Sequence, residues 1–159
     1  MKYVLVFISF CAIIIAGCIN ATPQSSLSFD LEHDEKRIYQ QLKDELDESV
    51  LLNVDPISVA KMYVYSSYQG DNDVNYSLYT QREGYVAWSR SEDQQIPERD
   101  RGNQEQIAAN FRNIEQGEFY NQSEYEGYIQ YEKEAGATSY FQMIKDENNI
   151  WKVAFMPLQ

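Results

Sequence analysis

Apolar and polar positions divide this chain into four stretches. Behind Lys2, an uncharged and largely apolar run extends from Tyr3 to Ile19. From Asn20 to Phe29 the residues are small and polar around Pro23, the composition of a flexible tether. Between Asp34 and Val50 charged residues dominate, with Ile38, Leu42 and Leu46 at every fourth place. That spacing predicts a helix with a narrow apolar stripe. Asp34 and Glu35 near its start suit the positive end of a helix dipole. Such a helix either packs on a domain or serves as a mostly solvated spacer, and so thin a stripe favours the spacer.

From Asp55 onward the pattern becomes that of a packed domain. Asp55 can cap a helix and Pro56 can occupy its first turn. Ile57, Ala60, Val64 and Tyr68, widened by Val59 and Tyr63, give that helix a broad buried face. Gly70-Asp71-Asn72-Asp73 stops it and starts another over about Val74 to Thr80, burying Val74, Leu78 and Tyr79. Gln81 to Trp88 show no clear period, and Ser89 to Asn103 are polar around Pro97, which predicts a surface loop. Asn103 or Asp100 opens a third helix, with Ile107, Phe111 and Ile114 inward and Gly117 closing it. The last forty or so residues alternate instead. Strands are predicted over Glu118 to Gln122, Tyr125 to Glu132, Ala137 to Asp146 and Ile150 to Met156. The last two form a hairpin across Glu147-Asn148-Asn149, with Trp151, Val153 and Phe155 on one face and Lys152 on the other. Helices followed by consecutive hairpins predict an α+β fold with the helices on one face of a curved antiparallel sheet.

The leader carries its own chemistry. Lys2, the apolar run and the small residues Ala16 and Gly17 describe a secretory signal. Ile15-Ala16-Gly17-Cys18 resembles the lipobox of bacterial lipoproteins. The resemblance implies cleavage between Gly17 and Cys18 and a diacylglyceryl thioether on Cys18. Residues 1–17 would then be signal peptide, 18–54 a lipid-anchored tether with its charged helix, and 55–159 the domain. Ordinary secretory cleavage after Ala16 or Gly17 would instead leave Cys18 a free thiol. The uncharged run is slightly short for a membrane-spanning helix, which needs ~20 apolar residues. Two acyl chains hold a protein to a bilayer firmly without any span. The expected location is therefore the extracytoplasmic face of a bacterial cell membrane.

Composition narrows the partners. The chain of 159 residues carries a formal net charge of −12, so a duplex or an anionic surface repels it, and nucleic acid is not an expected partner. Cys11 lies in the leader, which leaves Cys18 as the sole cysteine of the mature chain and no internal disulfide. Thirteen tyrosines, seven phenylalanines and two tryptophans supply the core in place of cross-links.

Three stretches resemble the nuclear transport factor two-like, cystatin-like cone: Pro56 to Tyr63 running into Gly70-Asp71, Asn75 to Thr80 as its short second helix, and Trp151 to Phe155 as its final strand. The resemblance covers roughly residues 55–159 and implies a cone with an aromatic interior. That fold hosts isomerases, dehydratases, transport proteins and scaffolds alike, so it does not fix a function. Enzymes of the family place a carboxylate or a His-Asp pair beside a tyrosine inside the cone. Here the single histidine, His33, precedes the domain. A tyrosine with a carboxylate of raised pKa is the remaining catalytic option. Tyr63, Tyr79, Tyr140 and Glu126 are the candidates for it, although most tyrosines in such positions are core residues.

Other site chemistries find little support. Asp71-x-Asp73-x-Asn75 matches the start of a calcium loop, but Tyr76 replaces its glycine and Arg82 its final glutamate. Zinc clusters, phosphate-binding glycine loops and a Ser-His-Asp arrangement have no candidates in the domain. The sequence therefore predicts a non-catalytic binding or accessory module without a cofactor. Its partner would be a small apolar ligand, with Tyr63, Tyr79, Trp88 and Tyr140 as candidate contacts, or an envelope protein. The alternative is a small isomerase- or dehydratase-like enzyme using a Tyr and Asp/Glu pair. The charged loop from Trp88 to Arg101 is expected to be a surface connection with solvated charges, or else a cover or docking segment.

Overall fold

A computed structural model describes residues 26–155 of the chain. Gly17, Cys18 and the anchor they define lie outside the described residues. The fold is α+β, with helices and a four-stranded antiparallel sheet.

The central helix α2 spans Pro56–Gln69. Asp55 caps it by accepting a 2.8 Å hydrogen bond from the Ile57 N–H. Gly70, at φ +74°, ends it in the left-handed conformation that a side chain resists. Val59, Ala60, Met62 and Val64 are fully buried along it. The short helix α3, Asn72–Leu78, follows at once. After it, Tyr79 bridges Val153 in parallel and the Thr80 N–H donates to the Val153 carbonyl at 2.9 Å. That segment covers what would otherwise be an open sheet edge.

The strands β1 Glu118–Asn121, β2 Glu126–Glu134, β3 Ala137–Lys145 and β4 Trp151–Val153 pair in sequence order, all antiparallel. Ile129 opposes Phe141 and Gly127 opposes Met143. With Tyr131 and Val153, these residues form the buried face beneath the helices. Tyr120, Tyr128 and Tyr140 lie on the other face, where Tyr140 is 57% exposed. Near the end of β2 the register shifts: Glu132 opposes Thr138 while Glu134 opposes Ala137, so Lys133 is the extra residue of a bulge. Lys152 does turn away from Val153, as the alternation predicts, yet it is fully buried. Its ammonium pairs with Glu48 at 2.7 Å and also bonds the Ser77 carbonyl.

Two expectations need correction. The charged segment is not a solvated spacer. Helix α1, His33–Glu45, places Tyr39 and Leu42 in the core, flanked by buried Leu31 and Leu51. Leu46, assigned to the apolar stripe, instead ends the helix at φ 53° and is 40% exposed. The packing is completed by a charge, because Glu35 is buried against Lys61 of α2 at 2.6 Å. The packed body thus begins before Asp55. The second correction concerns the polar stretch from Ser89 to Asn103. It is not an extended connection but holds a one-turn helix, α4 Arg90–Asp93, and a 3₁₀ turn at Glu98–Asp100. Ser89 and Glu92 cap α4 reciprocally. The last helix, α5 Gln104–Asn110, starts from an Asn103–Gln106 capping box.

Candidate functional site

Between α2, α5 and the helix-facing side of the sheet lies an open pocket of about 470 Å³. Its floor is aromatic. Tyr63 comes from α2, Tyr79 from the end of α3, Phe111 from the end of α5, Tyr131 from β2 and Phe141 from β3. Phe111 and Phe141 meet edge to face at 5.8 Å, and each also meets the Tyr63 ring. At the mouth are Lys133, Thr138, Ser139 and Tyr140, and Arg101 enters from the polar loop.

Helical spacing brings Tyr63 inward, and the edge bridge to Val153 fixes Tyr79 opposite it. Their hydroxyls lie 2.7 Å apart. Burial pushes both phenols above their ordinary pKa, Tyr63 far above, so both stay neutral at physiological pH. One O–H is used between the two, and the other remains to be donated.

Arg101 is held from behind. Its Nη2 pairs with Asp93 Oδ2 at 3.1 Å and also bonds the Asp93 carbonyl. Asp93, only 4% exposed, accepts a second bond from Trp88 Nε1 at 3.0 Å. Arg101 Nε is buried without a hydrogen-bond partner. The charges of this loop are therefore not all solvated, contrary to the expectation for a surface connection: one pair is folded inward to form a wall. On β2, Tyr131 O–H and Lys133 Nζ both reach Asn110, at 3.3 and 3.4 Å, which ties the end of α5 to the bulge.

Of the residues singled out from sequence, Tyr63 and Tyr79 meet inside the pocket, whereas Tyr140 borders its mouth with its ring turned to the outer face, against Tyr128. Trp88 does not line it; its ring packs edge-on to Tyr79 at 5.7 Å and to Phe155 at 4.6 Å. Glu126 is elsewhere, accepting a 2.8 Å bond from the Tyr85 hydroxyl. No carboxylate lines the pocket among the described residues, so the Tyr and Asp/Glu pair of an isomerase-like site is not assembled there. His33 is exposed at the start of α1. Asp71, from the calcium-like spacing, precedes α3 and binds Tyr39 and Lys43, and no His/Cys/Asp/Glu group suited to a metal occurs among the described residues. No described helix is long and apolar enough to cross a membrane. Arg101 and Lys133 were not predicted. The first meets its partner only through the turns of the loop, and the second is placed by the bulge.

With neutral phenols over an aromatic floor, the arrangement is suited to holding a molecule. Scans of known protein families, curated proteins and solved structures find no match to this chain.

Proposed function

We propose that this chain is an extracytoplasmic bacterial lipoprotein, moored through lipidated Cys18, whose folded body binds a small and largely apolar ligand without transforming it. The observation that carries the binding role is the aromatic pocket. Its volume of about 470 Å³ lies within the roughly 300–1,000 Å³ common for ligand sites, and its aromatic floor lies beneath a mouth of polar side chains. The order of elements supports a cone-like, cystatin-like version of the α+β fold, with a long helix, a short one and then a meander. The anchor rests on Ile15-Ala16-Gly17-Cys18.

Calorimetry on the full chain held in lipid nanodiscs, with empty discs subtracted, tests the pocket. The neutral probe 2-naphthamide should saturate one site per chain, and Ser139→Trp at the mouth should abolish that binding. Absence of a saturable heat removes the pocket reading. For the anchor, Cys18→Ser should release the protein from the membrane fraction, and unchanged sedimentation with membranes counts against it.

A second reading has its own support. Tyr120, Tyr128 and Tyr140 form an aromatic strip on the outer sheet face, with the first two rings stacked at 5.4 Å and Tyr140 meeting Tyr128 at 5.5 Å. Exposed aromatics of this kind suit contact with an envelope protein.

A further inference from the structure

We infer that the pocket selects an anion: its ligand joins an aromatic or alicyclic body to one carboxylate, which Lys133 and Arg101 hold at the mouth. This rests on the pocket being the binding site proposed above.

The charge distribution is the first argument. A chain with 25 acidic residues against 13 basic ones would be expected to put carboxylates around any opening. This pocket is lined by two cations and, among the described residues, by no carboxylate. A positive opening on an otherwise acidic body favours an anion where the rest of the surface repels one.

The state of the two cations is the second. Lys36, Lys43, Lys61 and Lys152 each pair with a carboxylate, and Lys145 lies over the Trp151 ring. Lys133 has no carboxylate partner among the described residues, only Asn110 Oδ1 at a long 3.4 Å. It is also the extra residue of the β2 bulge, a device that commonly re-aims one side chain next to a site. Asp93 offsets the charge of Arg101, so Lys133 supplies the net positive charge. Arg101 supplies a donor instead. Its Nε–H is the sole buried side-chain polar atom without a partner among the described residues. A buried donor left without a partner is costly, and an incoming oxygen that accepts from it removes the penalty. The spare O–H of the Tyr63–Tyr79 pair is a third donor inside the same pocket. These three donors line one pocket, and a group that only accepts hydrogen bonds, most commonly a carboxylate, is the match for them.

The test compares 2-naphthoate with its neutral counterpart 2-naphthamide at pH 7, by calorimetry on the full chain in nanodiscs. Naphthoate should bind at least about tenfold more tightly, as charge-assisted hydrogen bonds exceed neutral ones. Lys133→Gln, a change at a partly exposed position, should remove most of that advantage and bring the naphthoate-to-naphthamide affinity ratio close to one. Equal affinities with indifference to Lys133→Gln would overturn the anion and leave the pocket reading standing. If neither probe binds, or if binding survives Ser139→Trp, the pocket reading falls and this inference falls with it.

Discussion

Glu35→Gln isolates the contact that makes the charged N-terminal segment part of the body. The Glu35 carboxylate accepts from Lys61 Nζ at 2.8 Å on Oε1 and 2.6 Å on Oε2. It also takes the Ser58 hydroxyl at 2.8 Å and the Glu32 N–H at 2.7 Å. Both side chains of the ion pair are only 9% exposed, so solvent screening discounts the interaction little. Glutamine keeps the shape but removes the charge. Its NH₂ must also face a donor, either the Lys61 ammonium or the Glu32 amide. Removing one member of a buried pair costs about 3–5 kcal/mol, because the other charge stays desolvated. A loss near 3 kcal/mol corresponds to about two decades in the folding constant. Urea unfolding followed by tryptophan fluorescence reads it directly. With slopes of about 1–3 kcal/mol per molar urea, the midpoint should fall by roughly 1–3 M. The double variant Glu35→Leu, Lys61→Met replaces the pair by apolar groups and should recover most of the loss. A single-variant loss below about 0.5 kcal/mol, within the range of ordinary surface changes, would refute the reasoning and return α1 to the status of a spacer.

Two further outcomes follow from the packing. In Gly127→Ala a new Cβ would lie 2.5 Å from Phe119 Cζ and 2.9 Å from the Tyr120 carbonyl oxygen, so β1 must move off β2. A cost of about 1–3 kcal/mol and a melting point several degrees lower are expected, and an unchanged thermal transition would show that the strand pair gives way freely. The pH dependence concerns Tyr63 and Tyr79, whose phenols are raised by burial above the value of 10.0 they have when exposed. An acid raised in the folded state contributes stability that is complete below pH 10 and is lost as the pH climbs toward the folded value. Urea midpoints should therefore fall above pH 10, less steeply in Tyr63→Phe. If all the tyrosines titrate together near pH 10 without loss of stability, the two are not buried as described.

What could be read from the chain depended on whether a feature rests on local periodicity. Helix α2 rests on it entirely: a cap at Asp55, a proline in the first turn, a broad apolar face and a glycine stop all lie in one continuous stretch. The strand order was legible for the same reason, since hairpins between alternating segments leave few other arrangements. Helix α1 begins where the spacing put it but stops at Glu45, short of Leu46, and its attachment was hidden. Tyr39 and the Glu35–Lys61 pair hold it, and a hydrophobic stripe counts neither a buried carboxylate nor its lysine partner in another helix.

The site follows the same division. Tyr63 and Tyr79 were visible as aromatic residues on inward faces, but their meeting at 2.7 Å depends on the chain after α3 joining the edge of β4, a contact across more than seventy residues. Asp93 and Arg101 looked solvated because Pro97 between them interrupts any single helix or strand, and only the turns between them close the pair. Lys133 is the most instructive case. Alternation after Tyr131 puts it on the pocket side of the sheet, and the shift in register between Glu132 and Glu134 makes it an extra residue at the rim. A cation inserted as the extra residue of a strand, at the edge of an aromatic cavity, costs the ladder a pairing and contributes nothing to the core. Its place is best accounted for by what the cavity receives.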